Sequence, residues 1–327
     1  MRKVLGMGNA LVDILMQVDN DQILERLALP KGSMQLVDRL TADKVLAAVG
    51  HNGHSKASGG SASNTIHGLA NLGVGTGFLG KIGQDEWGSF FRSDLEAKNI
   101  APYLLESSAE SGRALTLISP DSERTFATFL GAAVELSAAD IPADLFADYH
   151  YFHIEGYLVQ NQDLIRQALQ KAHEHGLEVS LDLASFNVVE DNLAFLRSMT
   201  ADYVDILFAN EEEARAFTGG LENEAALEWM GKLCKTVILK KGAEGSFIKH
   251  GDQQVKVGAV RTTPIDTTGA GDLYAAGFLY GLMHEMPLAT CGHLGALLSA
   301  RVIEVVGPKM DEARWEAIRK EIETLNN

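Results

Sequence analysis

The groups best suited to chemistry occur at one glycine-rich turn, Asp266-Thr-Thr-Gly-Ala-Gly-Asp272, which is followed by an apolar run. This pattern predicts a helix that begins within the turn, and the first backbone N–H groups of a helix lack partners inside it. Together with the positive end of the helix dipole, the amides of Gly269, Ala270 and Gly271 would form an anion hole for a phosphoryl group in transfer. In the first turn, Asp272 would accept the proton of an attacking hydroxyl. The alternative is an ordinary helix start, where the dipole favours an acidic residue.

A second glycine-rich segment, Gly59-Gly60-Ser-Ala-Ser-Asn64, also precedes a predicted helix. Because the paired glycines lack Cβ atoms, a substrate can lie directly on the backbone there. The Asn64 amide offers both a donor and an acceptor to sugar hydroxyls. The segment therefore indicates a site for a hydroxylated substrate, with a flexible turn and a capping serine as the alternative.

A charged residue interrupts the apolar run near the N-terminus, in the segment Asn9-Ala-Leu-Val-Asp13 that follows the first predicted strand. Burying a carboxylate without a partner costs free energy. Bidentate binding of sugar hydroxyls by Asp13 would explain its position, and a structural aspartate with a partner in the protein would explain it equally.

Two segments at predicted strand ends are candidates for holding a nucleotide. Asn210 stands where a helix N-cap belongs, and Glu213, three residues later, would hold Mg²⁺ through water, because this ion usually keeps several waters. The alternative is a solvated acidic first turn. The segment Lys240-Lys-Gly242-Ala-Glu-Gly245 is a tight turn that would frame a nucleotide or simply form a hairpin. Ligands of α/β sheets bind at such carboxyl ends of strands.

Several common motifs are absent from the sequence. There is no G-x-x-x-x-G-K-[ST] segment, which excludes a P-loop enzyme. The N-terminal Gly6-Met-Gly-Asn-Ala-Leu11 begins like a dinucleotide-binding fingerprint but has leucine at its sixth position. Histidine and cysteine show no metal-ligand spacing, and no G-x-S-x-G nucleophile elbow occurs.

The elements that would position these groups alternate between strand and helix, which predicts one α/β domain over 1–327. Repeated alternation implies a mostly parallel sheet covered by helices on both faces. Two stretches depart from this rhythm and read as short extended runs with turns, at about 14–38 and 102–131. We expect them to form one small accessory sheet that acts as a lid.

Composition limits the class of protein. The net charge of −16 over 327 residues argues against a nucleic-acid-binding face. The two cysteines form no disulfide framework, and no run of about 20 apolar residues is present. We therefore expect a cytoplasmic protein without a membrane or nucleic-acid partner, either a monomer or a homodimer.

Taken in order, these segments resemble the ribokinase-like (PfkB) carbohydrate kinase family along nearly the whole chain. The resemblance implies a three-layer α/β/α sandwich with a mostly parallel central sheet and a small β lid. It also implies transfer of the ATP γ-phosphate to a primary hydroxyl, with Mg²⁺ on the phosphates and K⁺ beside the anion hole. Asp266 and Thr268 would contribute to the K⁺ site, together with backbone near Val306.

The same resemblance assigns roles to the other residues. Asp272 would match the family's base, and Gly269, Ala270 and Gly271 its anion hole. The nucleotide and its Mg²⁺ would be bound by Asn210, Glu213, Lys240, Gly242, Gly245 and Thr268. The acceptor would be bound by Asn9, Asp13, Gly59, Gly60 and Asn64.

Within the family the chain is most similar to the adenosine-kinase branch, in the segments 8–13, 123–125 and 155–158. Tyr157 would then present its ring to the purine, and Gln35 would reach the base edge from the lid. Arg124 would neutralise phosphate charge as the lid closes. Tyr157 as an ordinary strand-end residue and Arg124 as a solvated hairpin residue are the alternatives.

The resulting hypothesis is an ATP-dependent kinase that phosphorylates an adenosine-like nucleoside. A sugar kinase for ribose, fructose or 2-keto-3-deoxygluconate is the alternative within enzymes. A non-catalytic nucleotide-binding regulator on the same fold is the alternative from another class.

Overall fold

Two β-sheets and twelve α-helices make up the computed structural model, which describes residues 2–49, 55–121 and 123–325. The strands are β1 Lys3–Met7, β2 Leu11–Gln17, β3 Met34–Leu36, β4 Ser55–Gly59, β5 Gly75–Gly83, β6 Ile100–Ser107, β7 Gly112–Ile118, β8 Arg124–Phe129, β9 Tyr151–Glu155, β10 Glu178–Asp182, β11 Ile206–Asn210, β12 Thr236–Lys240, β13 Ser246–His250 and β14 Gln253–Val257. The helices are α1 Gln22–Arg26, α2 Arg39–Val49, α3 Ser61–Asn71, α4 Glu86–Ala97, α5 Gln162–Glu174, α6 Phe186–Asp191, α7 Leu193–Tyr203, α8 Glu211–Thr218, α9 Asn223–Met230, α10 Ala270–Met283, α11 Leu288–Val302 and α12 Glu312–Leu325.

The large sheet has nine strands in the order β14-β13-β12-β11-β10-β9-β1-β5-β6. From β12 to β6 neighbouring strands are parallel, and β13 and β14 add an antiparallel ribbon at one edge. Strand β1 lies between β9 and β5, so the strand order reverses there. Such a reversal opens a crevice at the carboxyl ends of the strands, which is where α/β proteins bind ligands.

Helices cover both faces of the large sheet. On one face Ile66 of α3, Phe278 of α10 and Leu297 of α11 belong to one buried apolar cluster. On the other face Leu169 of α5 and Phe217 of α8 belong to a second cluster. Because both faces are buried, the parallel strands are nearly continuous in apolar residues. The predicted three-layer α/β/α sandwich is confirmed.

The small sheet has the order β3-β8-β7-β2-β4. Along β2, alternate residues Val12, Ile14 and Met16 are buried in the first apolar cluster. Leu11 and Asp13 therefore point to the opposite face, which is turned towards the crevice.

The boundaries of the small sheet differ from those expected for the lid. Residues 102–107 lie in β6, which pairs with β5 and extends the large sheet. Strand β4, outside both expected segments, pairs with β2. The expected start of the second lid segment, at residue 102, was wrong. Strand β6 follows α4 and pairs with β5 in the large sheet, and the inserted hairpin begins only at β7. Ser122, within the expected lid, lies outside the described residues.

Over 2–49, 55–121 and 123–325, every helix is too short or too polar to span a bilayer.

Candidate active site

Helix α10 begins at a turn that only glycine fits well. Gly269 is the N-cap residue and has φ 77°, in the left-handed region. A Cβ atom at this position would lie 2.8 Å from Cβ of Pro308. The turn is therefore held in one conformation by its own backbone and by the neighbouring loop.

Most of the first amides of α10 are open, as an anion hole requires. Ala270 is the exception, because its N–H donates to the Thr267 carbonyl at 3.2 Å. Among the described residues, no acceptor is bonded to the N–H groups of Gly269, Gly271 or Asp272. The candidate anion hole therefore consists of these three amides, and the expected contribution of Ala270 is replaced by that of Asp272.

The Asp272 carboxylate is oriented by helix α3. Its Oδ1 accepts a hydrogen bond from Ser61 Oγ at 2.7 Å, and its Oδ2 accepts one from Asn64 Nδ2 at 2.9 Å. Burial raises the pKa of Asp272 to about 6, although both hydrogen bonds act to lower it. Asn64 Nδ2 thus positions the candidate base, and the expected contact of Asn64 with acceptor hydroxyls stays a prediction.

A buried ion pair lies beside the open amides. Lys240 Nζ is 2.7 Å from Asp182 Oδ2, and a Cβ atom on Gly271 would lie 3.1 Å from the same nitrogen. Burial disfavours the charged form, but Asp182 and Glu213 outweigh it and raise the pKa of the Lys240 ammonium above its usual value. A permanent positive charge therefore stands next to the candidate anion hole.

Glu155 joins β1, β9 and α3 at the reversal of the large sheet. Its Oε1 accepts from the backbone and side-chain nitrogens of Asn9, at 2.9 and 2.8 Å. Its Oε2 accepts from the Ala62 amide at 2.8 Å, in the first turn of α3. Burial raises the pKa of Glu155 to about 7. The Asn9 amide nitrogen, expected at the acceptor, is thus engaged in holding this junction.

Gly60 allows α3 to begin against the loop after β1. Its φ is 91°, and a Cβ atom would lie 2.2 Å from the Asn9 carbonyl oxygen. Any side chain would therefore push α3, with Ser61 and Asn64, away from Asp272.

We expect Gly60→Ala to destabilise the fold more than Gly73→Ala does. Gly73, after the same helix, also has positive φ (83°), but no atom lies within 4 Å of its virtual Cβ. Gly73→Ala, the control, should lower the free energy of unfolding by about 1–2 kcal/mol through the backbone conformation alone. Gly60→Ala should exceed that loss by about 2 kcal/mol or more, because the backbone must also move. Denaturant unfolding measures both, and equal losses would contradict the close approach.

Asp13 reaches into the crevice from the small sheet. Its carboxyl carbon lies 2.2 Å from the place that a Cβ on Gly59 would take, so Gly59 makes room for it. Burial raises the pKa of Asp13 to about 7, against the opposing effect of Lys309. Among the described residues nothing donates a hydrogen bond to this carboxylate, which leaves its oxygens available to hydroxyls.

A cavity of about 730 Å³ opens between the two sheets and borders Ser61, the partner of Asp272. Apolar and polar side chains contribute similar shares of its wall, and Met34, Leu36 and Val134 remain 48%, 56% and 50% exposed there. A polar end is formed by Gln160, Asn161, Gln162, Ser185, Asn187, Asp191 and Asn192. Among the described residues, no lysine or arginine lines this cavity.

Tyr157 and Gln35 are placed differently with respect to this cavity. Tyr157 lines it and donates from Oη to the Ala184 carbonyl at 3.2 Å. Gln35 does not line it, since Met34 and Leu36 on either side face the cavity and side chains alternate along a strand. The expected contact of Gln35 with a base edge is therefore not supported.

Asn210 and Glu213 form a reciprocal cap at the start of α8. Asn210 Oδ1 accepts from the Glu213 amide at 2.8 Å, and the Glu213 oxygens accept from the Asn210 backbone and side-chain nitrogens at 2.8 and 2.7 Å. Glu213 is 3% exposed, so it is not part of a solvated acidic turn. Each of its oxygens keeps a lone pair for water, which fits Mg²⁺ held through water. The described residues contain no group of three or more acidic, histidine or cysteine side chains arranged around a metal position.

The segment 240–245 is a tight turn closed by a hydrogen bond from the Lys241 amide to the Gly245 carbonyl at 2.8 Å. Gly242 and Gly245 both have positive φ, 51° and 94°. Their contact with a nucleotide stays a prediction.

Arg124 connects the small sheet to the turn before α10. Its guanidinium pairs with Asp266 and donates to Thr268 Oγ1 at 3.1 Å. Asp266 also accepts from the amides of Thr268 and Gly307. The side-chain oxygens expected to bind K⁺ are thus occupied by a cation from the lid, and this donor set does not fit K⁺ in the present arrangement.

Two groups of residues in the site were not identified from the sequence. Asp182 is the last residue of β10. Its position at the end of a predicted strand is the only feature of the sequence that could have indicated a role in the site. Asn187, Asp191 and Asn192 belong to the short helix α6 and the residue after it, where the sequence has no strong helical period.

Comparisons with known proteins identify a family and several similar proteins. A profile of the pfkB family of carbohydrate kinases matches residues 38–313. The chain is similar to the structure of a probable sugar kinase from Rhizobium etli, with 34% identity, a TM-score of 0.89 and 98% of each chain covered. It is similar to the structure of adenosine kinase from Sinorhizobium meliloti, with 35% identity, a TM-score of 0.88, and 98% of this chain and 99% of the other covered.

Among curated sequences, a 5-dehydro-2-deoxygluconokinase from Geobacillus kaustophilus is 28% identical over 266 residues, which cover 76% of this chain and 79% of the relative. The matched family profile extends over most of the chain and includes the Asp272 turn and the Asn210 cap. The chain therefore belongs to the pfkB family of carbohydrate kinases.

Proposed function

We propose that this kinase transfers the γ-phosphate of ATP to a primary hydroxyl of an adenosine-like nucleoside. The observation that carries the proposal is that a positioned carboxylate, Asp272, lies beside open amides at the start of α10, and that its hydrogen-bonded partner Ser61 borders the cavity. In phosphoryl transfer the protein contributes mainly by positioning the reactants and by stabilising the charge on the phosphoryl group.

In the proposed reaction the acceptor hydroxyl loses its proton to Asp272 as its oxygen bonds to the γ-phosphorus. The bond from that phosphorus to the bridging oxygen breaks, and ADP leaves with the electron pair. Ser61 and Asn64 hold the Asp272 carboxylate in place. The amides of Gly269, Gly271 and Asp272 receive the charge that develops on the phosphoryl oxygens.

Lys240 would supplement these amides as a fixed positive charge. Bound Mg²⁺ would neutralise phosphate charge, with Glu213 ordering its waters. Closure of the small sheet over the cavity would exclude water, which competes as a phosphoryl acceptor.

The shape and polarity of the cavity favour a nucleoside over a free sugar. The apolar part of its wall, where Met34, Leu36 and Val134 are exposed, suits the faces of a purine better than a ring of hydroxyls. The amide side chains at its polar end suit the edge of a base. The 35% identical structure from Sinorhizobium meliloti, described as an adenosine kinase, supports the same acceptor class.

A sugar kinase is the second candidate, because curated relatives at 28% identity are 5-dehydro-2-deoxygluconokinases. An acidic sugar carries a carboxylate that a binding site must neutralise, and no described lysine or arginine lines the cavity. This absence makes a neutral acceptor the better fit.

An ATP-consumption screen tests the proposal. Adenosine, inosine, ribose, fructose, 2-keto-3-deoxygluconate and 5-dehydro-2-deoxygluconate would be compared at equal concentrations. We expect adenosine to give the highest kcat/KM. A higher kcat/KM for any free sugar would contradict the proposal and indicate a sugar kinase. Turnover with none of these acceptors would favour a nucleotide-binding regulator.

We expect Tyr157→Ala to raise the KM for adenosine by about ten-fold or more, because a ring against a base contributes about 1–3 kcal/mol. Tyr157→Phe is the matched control, since it keeps the ring and removes only the hydrogen bond to Ala184. Steady-state kinetics should show a small effect for the control. Unchanged adenosine kinetics in Tyr157→Ala would contradict a purine at this wall.

A further inference from the structure

The Asp266 side chain holds together the two segments that enclose the start of α10. Its Oδ1 accepts a hydrogen bond from the Thr268 amide at 2.8 Å, within the turn that leads to the helix. Its Oδ2 accepts from the Gly307 amide, in the loop whose next residue, Pro308, packs closely against Gly269. An ionised carboxylate offers acceptors at both oxygens, so this arrangement of the turn and the loop requires the charged form of Asp266.

This carboxylate is buried, and its charge is paired with an arginine from the small sheet. The side chain of Asp266 is 2% exposed, and the Arg124 guanidinium forms an ion pair with its Oδ1. The same guanidinium donates to Thr268 Oγ1 at 3.1 Å. Within the part of the chain that the structure describes, no other lysine, arginine or histidine pairs with Asp266. Since removing one partner of a buried ion pair leaves an uncompensated charge, the charge balance of Asp266 depends on Arg124.

Strand β8 directs Arg124 across the crevice. Thr125 and Ala127 are fully buried, and Thr128 lines the cavity between the two sheets. Side chains alternate along a strand, so Arg124 and Thr128 share the face that is turned towards the crevice. The positive charge on Asp266 is therefore supplied by the small sheet and not by the large sheet or by α10.

This arrangement departs from the K⁺ site that the family resemblance implies. A K⁺ ion binds to the lone pairs of oxygen atoms. Here Asp266 Oδ1 receives the Thr268 amide and the guanidinium, and Oδ2 receives the Gly307 amide. The guanidinium also occupies Thr268 Oγ1 and would repel a second positive charge. The requirement for a cation at Asp266 is thus met by the protein itself.

We propose that Arg124 is a positioning residue that takes the place of K⁺ at Asp266, so that the anion-hole turn keeps its geometry and phosphoryl transfer proceeds without a monovalent metal ion. The kinetic part of this proposal rests on the proposed function. The part that concerns cation binding at Asp266 rests only on the contacts of Arg124 and can be measured without substrate.

The kinetic test uses the unmodified protein. Turnover with Mg²⁺, ATP and the acceptor identified by the screen would be compared in potassium chloride and in tetramethylammonium chloride. Equal ionic strength keeps the screening of charges the same in both salts. We expect the two kcat values to agree within experimental error. Activation by K⁺ would overturn the proposal.

The binding test measures thermal unfolding in the same two salts without substrate. Arg124→Met leaves the buried Asp266 carboxylate without its cation, so a K⁺ ion can take the vacated position. Because a ligand that binds only the folded protein stabilises it, we expect K⁺ to raise the Tm of this variant by about 2 °C or more over tetramethylammonium. The difference in Tm between the two salts should be smaller in the unmodified protein and in Arg124→Lys, which keeps the charge.

Arg113→Met is the matched control for the loss of a buried ion pair in the small sheet. The Arg113 side chain is 4% exposed and pairs with Glu110 at 2.9 Å and with Asp43 at 3.3 Å. Its removal should also lower the Tm, but K⁺ should affect this variant no more than the unmodified protein. Arg124→Gln supplies a second neutral variant if the methionine protein does not fold.

The binding test separates the inference from the proposed function. A rise in Tm that is specific to K⁺ and to the neutral Arg124 variants would support the inference even if no acceptor is found. In kinetic assays K⁺ should also restore part of the turnover that these variants lose. An equal response to K⁺ in Arg124→Met, Arg113→Met and the unmodified protein would overturn the inference even if the kinase screen succeeds, since the pair with Asp266 would then be an ordinary structural contact.

Discussion

Asp272→Asn is expected to lower kcat about 10²–10⁴-fold, the usual loss when a general base is removed. Asparagine has nearly the same shape and can accept from Ser61. Its new NH₂ group would meet the Asn64 amide, whose Oδ1 is buried and has no partner among the described residues. A flip of the Asn64 amide would restore the hydrogen bond, so the fold should remain intact.

The matched control is Asp252→Asn, which removes an exposed charge at the tip of the β13–β14 hairpin. Turnover under saturating ATP and acceptor, together with thermal unfolding of each protein, measures the effect. Near-normal turnover in a folded Asp272→Asn protein would refute the assignment of the base.

The pH profile gives an independent view of the same group. Because the pKa of Asp272 is raised to about 6 by burial, the base is ionised and active above that pH and is lost as pH falls through it. The kcat of the unmodified protein should therefore decline on the acid side with an apparent pKa near this value. The residual activity of Asp272→Asn should lack that limb.

Lys240→Met is expected to lower kcat about 10²–10³-fold, the size of effect seen when one electrostatic contact to a developing charge is removed. The ammonium lies beside Gly271, where the migrating phosphoryl group would stand in the proposed reaction. Its interaction grows as charge develops, so kcat should suffer more than the KM for ATP.

Two companion variants make this result specific. Lys249→Met removes a lysine of β13 that pairs with Glu228 of α9, and should leave turnover unchanged. Asp182→Asn should lower kcat less than Lys240→Met, because it removes the partner that orients the ammonium but keeps the charge. An effect of Lys240→Met no larger than that of Lys249→Met would contradict the role of Lys240.

The segments with strong local signals were predictable. The turn before α10 and the one before α3 combine glycine with a following apolar helix, and the structure has α3 at 61–71 and α10 at 270–283. Local chemistry decides such elements, because positive φ and a helix N-terminus demand particular residue types.

Partnerships across the chain were not predictable in the same way. Asn64 offers the same donor to a sugar hydroxyl or to Asp272, and only the packing of α3 against α10 selects the second. Asp182 meets Lys240 because β10 and β12 end at the same edge of the sheet. Nothing in either local segment specifies that meeting.

The lid shows the same limit. Strands β6 and β7 both read as extended runs, and the sequence does not specify which sheet each one joins. Pairing of β6 with β5 decides that it belongs to the large sheet. The three-residue strand β3 illustrates a further limit, since a shift of one residue would exchange Gln35 with its apolar neighbours at the cavity.

The apolar residues that the small sheet presents to the cavity also determine how affinity should change with temperature. Covering Met34 and Leu36 with the faces of a base removes hydrocarbon from water, a driving force that weakens on cooling. Closure over the proposed acceptor would then be less favourable in the cold, whereas the charge contacts at the far end of the crevice would not weaken for that reason. The two ends of one substrate would thus be held by forces with different thermal behaviour.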